Sequence, residues 1–142
     1  MALPGDVAPP ADGAADIAAL DRSNAAQMLA LTGRAMPDYF RRRTPALGSY
    51  CGIRIDGELV AMAGERLVID RHVEISGVCT HPDHRGRGYA SGLIWQLVRQ
   101  HRRQGLVSWL HVSHTNYDAI AFYRRMGFRV FNRVVLQKVA RG

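Results

Sequence analysis

The sequence predicts a single α/β domain, a mixed sheet of roughly six to seven strands with about four helices on its faces. Three observations carry this. Residues Val73, Ile75, Gly77 and Cys79 alternate with Glu74, Ser76, Val78 and Thr80 as in a strand, Pro82 to Gly88 turn the chain, and Leu93, Ile94, Leu97 and Val98 then recur at helical spacing. Asp56-Gly57, set between two β-rich runs, is a two-residue hairpin signal. Leu106 to Ser113 alternates once more and leads into a helical pattern from Asn116 to Met126.

In chain order, residues 1–14 are mostly Pro, Ala, Gly and Asp and read as a flexible N-terminal tail, leaving 15–142 as the single domain. Ala15 to Leu20 reads as a first strand, and Asp21 or Ser23 can cap a helix that carries Ala26, Met28, Leu29 and Leu31 and stops at Gly33. A second short helix is expected from Pro37 to Arg43, before Pro45 and Gly48 break it. Ser49–Ile55 and Leu59–Leu67 form the hairpin, and Asp70-Arg71 turns into the strand Val73–Thr80. The long helix begins at Tyr89 and is closed by Gly105, and the helix after Asn116 is closed by Gly127. Phe128 to Val139 supplies one or two last strands.

Composition narrows the class. A chain of 142 residues suits one domain, and 47% hydrophobic with 22% charged residues is ordinary globular usage. No apolar run reaches the length of a membrane span, so no membrane partner is expected. The first residues lack the basic-then-apolar order of an export signal, and Cys51 and Cys79 sit inside apparent strands as reduced thiols would; a cytoplasmic protein is the expectation. The net charge of +7 comes almost entirely from arginine and favours anionic ligands in general. The Arg41–Arg43 and Arg102-Arg103 clusters are not interleaved with aromatic residues, so no nucleic acid is expected.

The strand-turn-helix junction is where an anion belongs. The first amides of a helix have no partner within it, and the helix dipole is positive there. Gly86 and Gly88 keep Cβ atoms away from a bulky phosphate, while Arg85 and Arg87 add charge. A P-loop would need Gly-Lys-Ser/Thr, but Gly88 is followed by Tyr89 and Ala90; a dinucleotide fingerprint would need glycine at Ser91 and an acidic residue about 20 positions on. What fits is Arg85-x-x-Gly88-x-Ala90, which matches the Gln/Arg-x-x-Gly-x-Gly/Ala pyrophosphate loop of the GNAT N-acetyltransferase superfamily. A second match follows in order: Asn116, Ala119, Phe122, Tyr123, Met126, Gly127 and Phe128 resemble that family's Asn-x-x-Ala-x-x-Phe/Leu-Tyr-x-x-Leu/Met-Gly-Phe segment. The resemblance spans roughly Leu20 to Ala140, and the run from Glu74 to Pro82 is similar to the glycine N-acyltransferase-like subgroup.

The resemblance implies acetyl-CoA as cosubstrate, no metal, and transfer of an acyl group to a primary amine of a small molecule or peptide. It implies that the fourth and fifth strands are parallel and splay apart, with the pantetheine arm pairing to Val78, Cys79 and Thr80, and the pyrophosphate held by Arg85, Gly86, Arg87, Gly88, Tyr89, Ala90 and Ser91. Asn116 matches a coenzyme contact and would also serve as a helix cap. The stretch holding Asp38, Tyr39 and Phe40 would form a wall of the acceptor site, and a homodimer is left open.

The chemistry needs a base, because an amine is mostly protonated at neutral pH. Glu74, on the central strand and on the side of Ser76 and Val78 by alternation, is one candidate; His111, where relatives carry a glutamate, is the other. Tyr123 matches the family's tyrosine that protonates the leaving thiolate, and carbonyl polarisation is expected from the backbone amide of Val78 or a neighbour. Cys79, on the side away from Glu74 by alternation and without a partner base, argues against a covalent acyl-enzyme. A non-catalytic acyl-CoA sensor and a basic nucleic-acid module are the competing classes; the first would need neither Tyr123 nor a base.

Overall fold

The computed structural model describes residues 1–8, 16–35 and 49–130. Within them the chain forms β1 (Ala18–Leu20), α1 (Ala25–Ala35), β2 (Tyr50–Ile55), β3 (Glu58–Ile69), β4 (His72–Thr80), α2 (Tyr89–Arg103), β5 (Val107–Trp109) and α3 (Tyr117–Met126). The five strands lie in the order β1-β2-β3-β4-β5; every neighbouring pair is antiparallel except β4 with β5, which is parallel. The mixed α/β sheet is as expected, with five strands and three α-helices among the described residues. The expected helix over Pro37–Arg43 and the strands beyond Val130 lie outside them.

Local chemistry sets the elements. Asp21 accepts the Ser23 amide at 2.8 Å and Asn24 Oδ1 accepts the Asp21 amide at 2.9 Å, a reciprocal cap that starts the turn leading into α1. The helix runs through Gly33 to Ala35, past the expected stop. Asp56-Gly57 turns β2 into β3 with both residues at positive φ, and Asp70-Arg71 does the same between β3 and β4. β3 continues to Ile69, two residues past the expected end, through exposed Leu67, Val68 and Ile69.

Each sheet face carries one core. On one side α1 brings Met28 and Leu31 onto Leu20, Tyr50, Leu59, Met62 and Cys79. On the other, Leu93, Ile94, Leu97 and Val98 of α2 meet Ile53, Val60, Ile75, Leu110 and Phe128. His101 is fully buried in this second core, with Nδ1 2.7 Å from Ser108 Oγ and Nε2 2.8 Å from Glu65 Oε1. It ties α2 to β3 and β5, and the buried Ser108 hydroxyl would lose this partner without it.

The beginning of the chain does not behave as the expected tail. Met1 and Leu3 are buried, and Ala2 bridges Trp109 and Arg129. The Leu3 amide donates to Ser108 O at 3.0 Å and the Leu110 amide to Met1 O at 2.7 Å. The cause is the edge of β5 away from β4, whose backbone groups take partners from residues 1–3 among the described residues, together with two apolar side chains that mean composition hides among Pro, Gly and Ala. Residues 9–15 lie outside the described part. Among the described residues no helix is long and apolar enough to cross a membrane.

Candidate active site

The strands β4 and β5 share three pairs, His72 with Val107, Val73 with Ser108 and Glu74 with Trp109. Beyond that β4 runs on to Thr80 while β5 stops, so the sheet opens into a V with its vertex at Glu74 and Trp109. The backbone of Val78, Cys79 and Thr80 borders the opening.

On its other edge β4 is bulged. Gly64 pairs with Ser76 and Met62 with Cys79, so three steps of β4 face two of β3. Gly77 takes the extra step at φ 65°, a left-handed conformation in which a Cβ would be strained. The bulge reverses the alternation. Val78 joins Ile75 against the α2-side core, and Cys79 packs on the α1 side. The expected sides of these two residues are thereby corrected: Glu74, opposite in phase to Ile75, shares its face with Cys79 and not with Val78.

Burial pushes the Cys79 thiol up to about 12, with Arg85 pulling weakly the other way. At neutral pH it is a protonated thiol in a core and a poor nucleophile. Cys79→Ala should therefore keep kcat within about twofold, and the native thiol should resist alkylation at pH 8. A folded Cys79→Ala protein without activity would restore a covalent intermediate to consideration.

At the vertex the two candidate bases touch. His111 Nδ1 lies 2.9 Å from Glu74 Oε2. Glu74 is also held by Arg66, whose Nη2 donates to Oε2 at 3.2 Å and whose Nε lies 2.7 Å from Oε1, a charge contact along which the N–H does not point. The Glu74 side chain is 2% exposed, that of His111 38% and that of Arg66 41%. The Trp109 ring meets His111 edge-on at 4.7 Å, and its buried Nε1 has no hydrogen-bond acceptor among the described residues.

At the other end of β4, His81 Nδ1 accepts the Asp83 amide at 3.1 Å and caps the turn over Pro82–His84. The exposed run Arg85, Gly86, Arg87, Gly88 follows, with Gly86 at φ 79° and Gly88 at φ 77°. Gly88 is the N-cap of α2 and gives it no side-chain cap, so the amides of Tyr89, Ala90 and Ser91 begin the helix uncapped. Among the described residues, chain neighbours aside, a Cβ on either glycine would meet no atom within 4 Å, which leaves room for an anion.

In α3, Asn116 Oδ1 accepts the Ala119 amide at 3.2 Å, so its cap role is formed. Tyr123 is half-buried, edge-on to Phe122 at 5.2 Å and Phe128 at 5.8 Å. Val78, Tyr89 and Tyr123, from separate elements, all pack against the α2-side core. Asp38, Tyr39 and Phe40 lie outside the described residues.

The profile of the Acetyltransferase (GNAT) family matches residues 17–128, most of the chain. The chain belongs to the GNAT acetyltransferase family. A solved GNAT-family acetyltransferase from Novosphingobium aromaticivorans is similar at 38% identity and a TM-score of 0.80, over 90% of this chain and 56% of that one. The [ribosomal protein bS18]-alanine N-acetyltransferase of Escherichia coli is 28% identical over 74 residues, 51% of this chain and 49% of that protein. The chain thus spans about half the length of the curated relatives it matches. An aminoglycoside N-acetyltransferase solved in complex with CoA has the same fold, with a TM-score of 0.73 at 17% identity.

Within this GNAT chain, sequence reasoning missed two groups at the vertex, Arg66 and Trp109. Arg66 meets Glu74 through a hairpin whose register shifts twice, which no local pattern gives away. Trp109 was legible as the residue preceding His111 on the same strand face, and its indole N–H carried the hint that a buried donor needs an acceptor.

Proposed function

We propose that this protein transfers an acetyl group from acetyl-CoA to a primary amine by direct attack in a ternary complex. The observation that carries the reading is the opening of the sheet at Glu74 and Trp109, with an ionisable pair at its vertex and an uncapped helix N-terminus at the far end of the same strand. The pyrophosphate would lie on the amides of Tyr89 to Ser91 beside Arg85 and Arg87, and the pantetheine arm would run along Val78, Cys79 and Thr80 as a substitute strand. Gly77 and Val78 fall in the bulge of the β3–β4 pairing, and the Val78 amide or a neighbour would polarise the thioester carbonyl.

The amine arrives as an ammonium ion and loses one proton to the vertex pair. Its nitrogen attacks the carbonyl carbon, the C–N bond forms, and the C–S bond breaks as the tetrahedral intermediate collapses. Tyr123 protonates the departing sulfur. The second N–H proton, released as the amide forms, balances that donation, giving amide and free thiol. The acceptor class extends from two of the similar proteins, one named for an alanine of a ribosomal protein and one for aminoglycosides. Asp38, Tyr39 and Phe40 would line its side of the site, and the setting would be cytoplasmic.

Thermal shift with acetyl-CoA, adenosine 3′,5′-bisphosphate and duplex DNA, followed by a screen of peptide, polyamine and aminoglycoside amines for thiol release, tests this. Stabilisation by acetyl-CoA with turnover on one amine class is expected. Stabilisation without turnover on any amine would favour an acyl-CoA sensor, and stabilisation by DNA alone would overturn the reading.

A further inference from the structure

We infer that the proton acceptor is Nε2 of His111, and that Glu74 and Arg66 form a fixed support behind it, a guanidinium–carboxylate–imidazole relay built from β3, β4 and the residues just after β5. This deepens the proposed amine acylation and rests on it.

The two candidate bases differ in access. Glu74 is almost wholly buried: Oε2 accepts from Arg66 Nη2 and faces His111 Nδ1, and Oε1 lies 2.7 Å from Arg66 Nε without a hydrogen bond and shut off from solvent. Its carboxylate is therefore out of a substrate's direct reach. His111 is more than a third exposed, and its Nδ1 is the ring atom turned inward. A carboxylate can only accept, so Nδ1 carries the proton and Nε2 presents its lone pair outward. A carboxylate behind an imidazole fixes tautomer and ring plane and stabilises the imidazolium that forms on proton uptake. The Trp109 edge at 4.7 Å limits rotation of the ring.

Arg66 has a separate task. A buried carboxylate without a cation is costly and would draw a proton of its own. With Arg66 in place the Glu74 charge is compensated whether or not His111 is protonated, so the imidazole is free to cycle. Glu74 and Arg66 are positioning residues, and His111 is the catalytic one.

The test uses the full chain and the amine found by the thiol-release screen. His111→Ala should lower kcat/KM on the order of 100-fold and abolish the acidic limb of its pH profile. Glu74→Gln keeps the volume and should lower kcat by tenfold or more, with KM for acetyl-CoA little changed and an acidic limb still present. Arg66→Met should lower kcat about tenfold, Arg66→Lys should restore part of the loss, and Arg66→Met added to His111→Ala should cost nothing further. Additive losses in that double variant, or an acidic limb that survives His111→Ala and vanishes in Glu74→Gln, would overturn the relay.

One readout needs no turnover. The ¹⁵N signals of His111 should show a single Nδ1–H tautomer in the wild-type protein and a mixture in Glu74→Gln. An Nε2–H tautomer in the wild type would overturn the relay even in a protein that acetylates amines. A single Nδ1–H tautomer in a protein that accepts no amine would leave the arrangement standing and remove the proposed reaction instead.

Discussion

Gly88→Val is expected to abolish acetyl-CoA binding while the fold survives. Gly88 caps α2 at φ 77°, and its backbone and that of Gly86 form the floor onto which the pyrophosphate is expected to settle. Valine acts there twice. Its branched side chain would project into a cradle that is open in the free protein, and its left-handed conformation costs about 1–2 kcal/mol, enough to tilt the first turn and misalign the amides of Tyr89 to Ser91. Strain has its own control in Gly105, at φ 72° beyond the other end of α2, where among the described residues an added Cβ likewise meets nothing within 4 Å. Gly105→Val should lose a similar few degrees of Tm and bind acetyl-CoA normally by calorimetry. If Gly88→Val also bound at unchanged affinity, the loop would not be the phosphate site.

Tyr123→Phe is expected to lower kcat by about 100-fold or more, with acetyl-CoA affinity nearly intact. The substitution removes one hydroxyl and preserves the ring, so the edge contacts with Phe122 and Phe128 and the packing on the α2-side core persist. What is lost is a proton for the departing thiolate. Acyl donors with more acidic thiols should be less affected, because a better leaving group needs less protonation. Wild-type kcat in the variant, with chemistry shown by burst kinetics to limit turnover, would return Tyr123 to a packing role.

The segment from β4 through the glycine turn into α2 was legible because three local signals agree there: alternation, a proline that ends the ladder, and a change of period after Gly88. The α3 boundaries were equally plain, since Asn116 and Gly127 are a cap and a left-handed terminator that need no tertiary context. The sides of Val78 and Cys79 were not, because counting by two assumes an unbroken ladder. Gly77 is the residue that breaks it, and an isolated glycine within a strand pattern is the usual mark of a bulge. The meeting of Glu74, His111 and Arg66 was hidden for a different reason. Sequence placed two of them as rivals for one role, and only the register of three strands shows that they are neighbours. Met1 and Leu3 were hidden by averaging, two apolar residues in a run whose composition reads as tail.

The V in the sheet also divides the molecule mechanically. On one side stand β1 to β4 with α1; on the other stand β5 and α3, joined to the first by three strand pairs and by the long side of α2. Glu74 belongs to the first body and His111 to the second, so the proposed relay requires the seam between them to be closed. Integrity of the site and integrity of the domain are therefore separate quantities. A loosening along the seam, far short of unfolding, would part the carboxylate from the imidazole and, on the proposed relay, lower turnover as Glu74→Gln does while the spectroscopic signature of the protein stayed native.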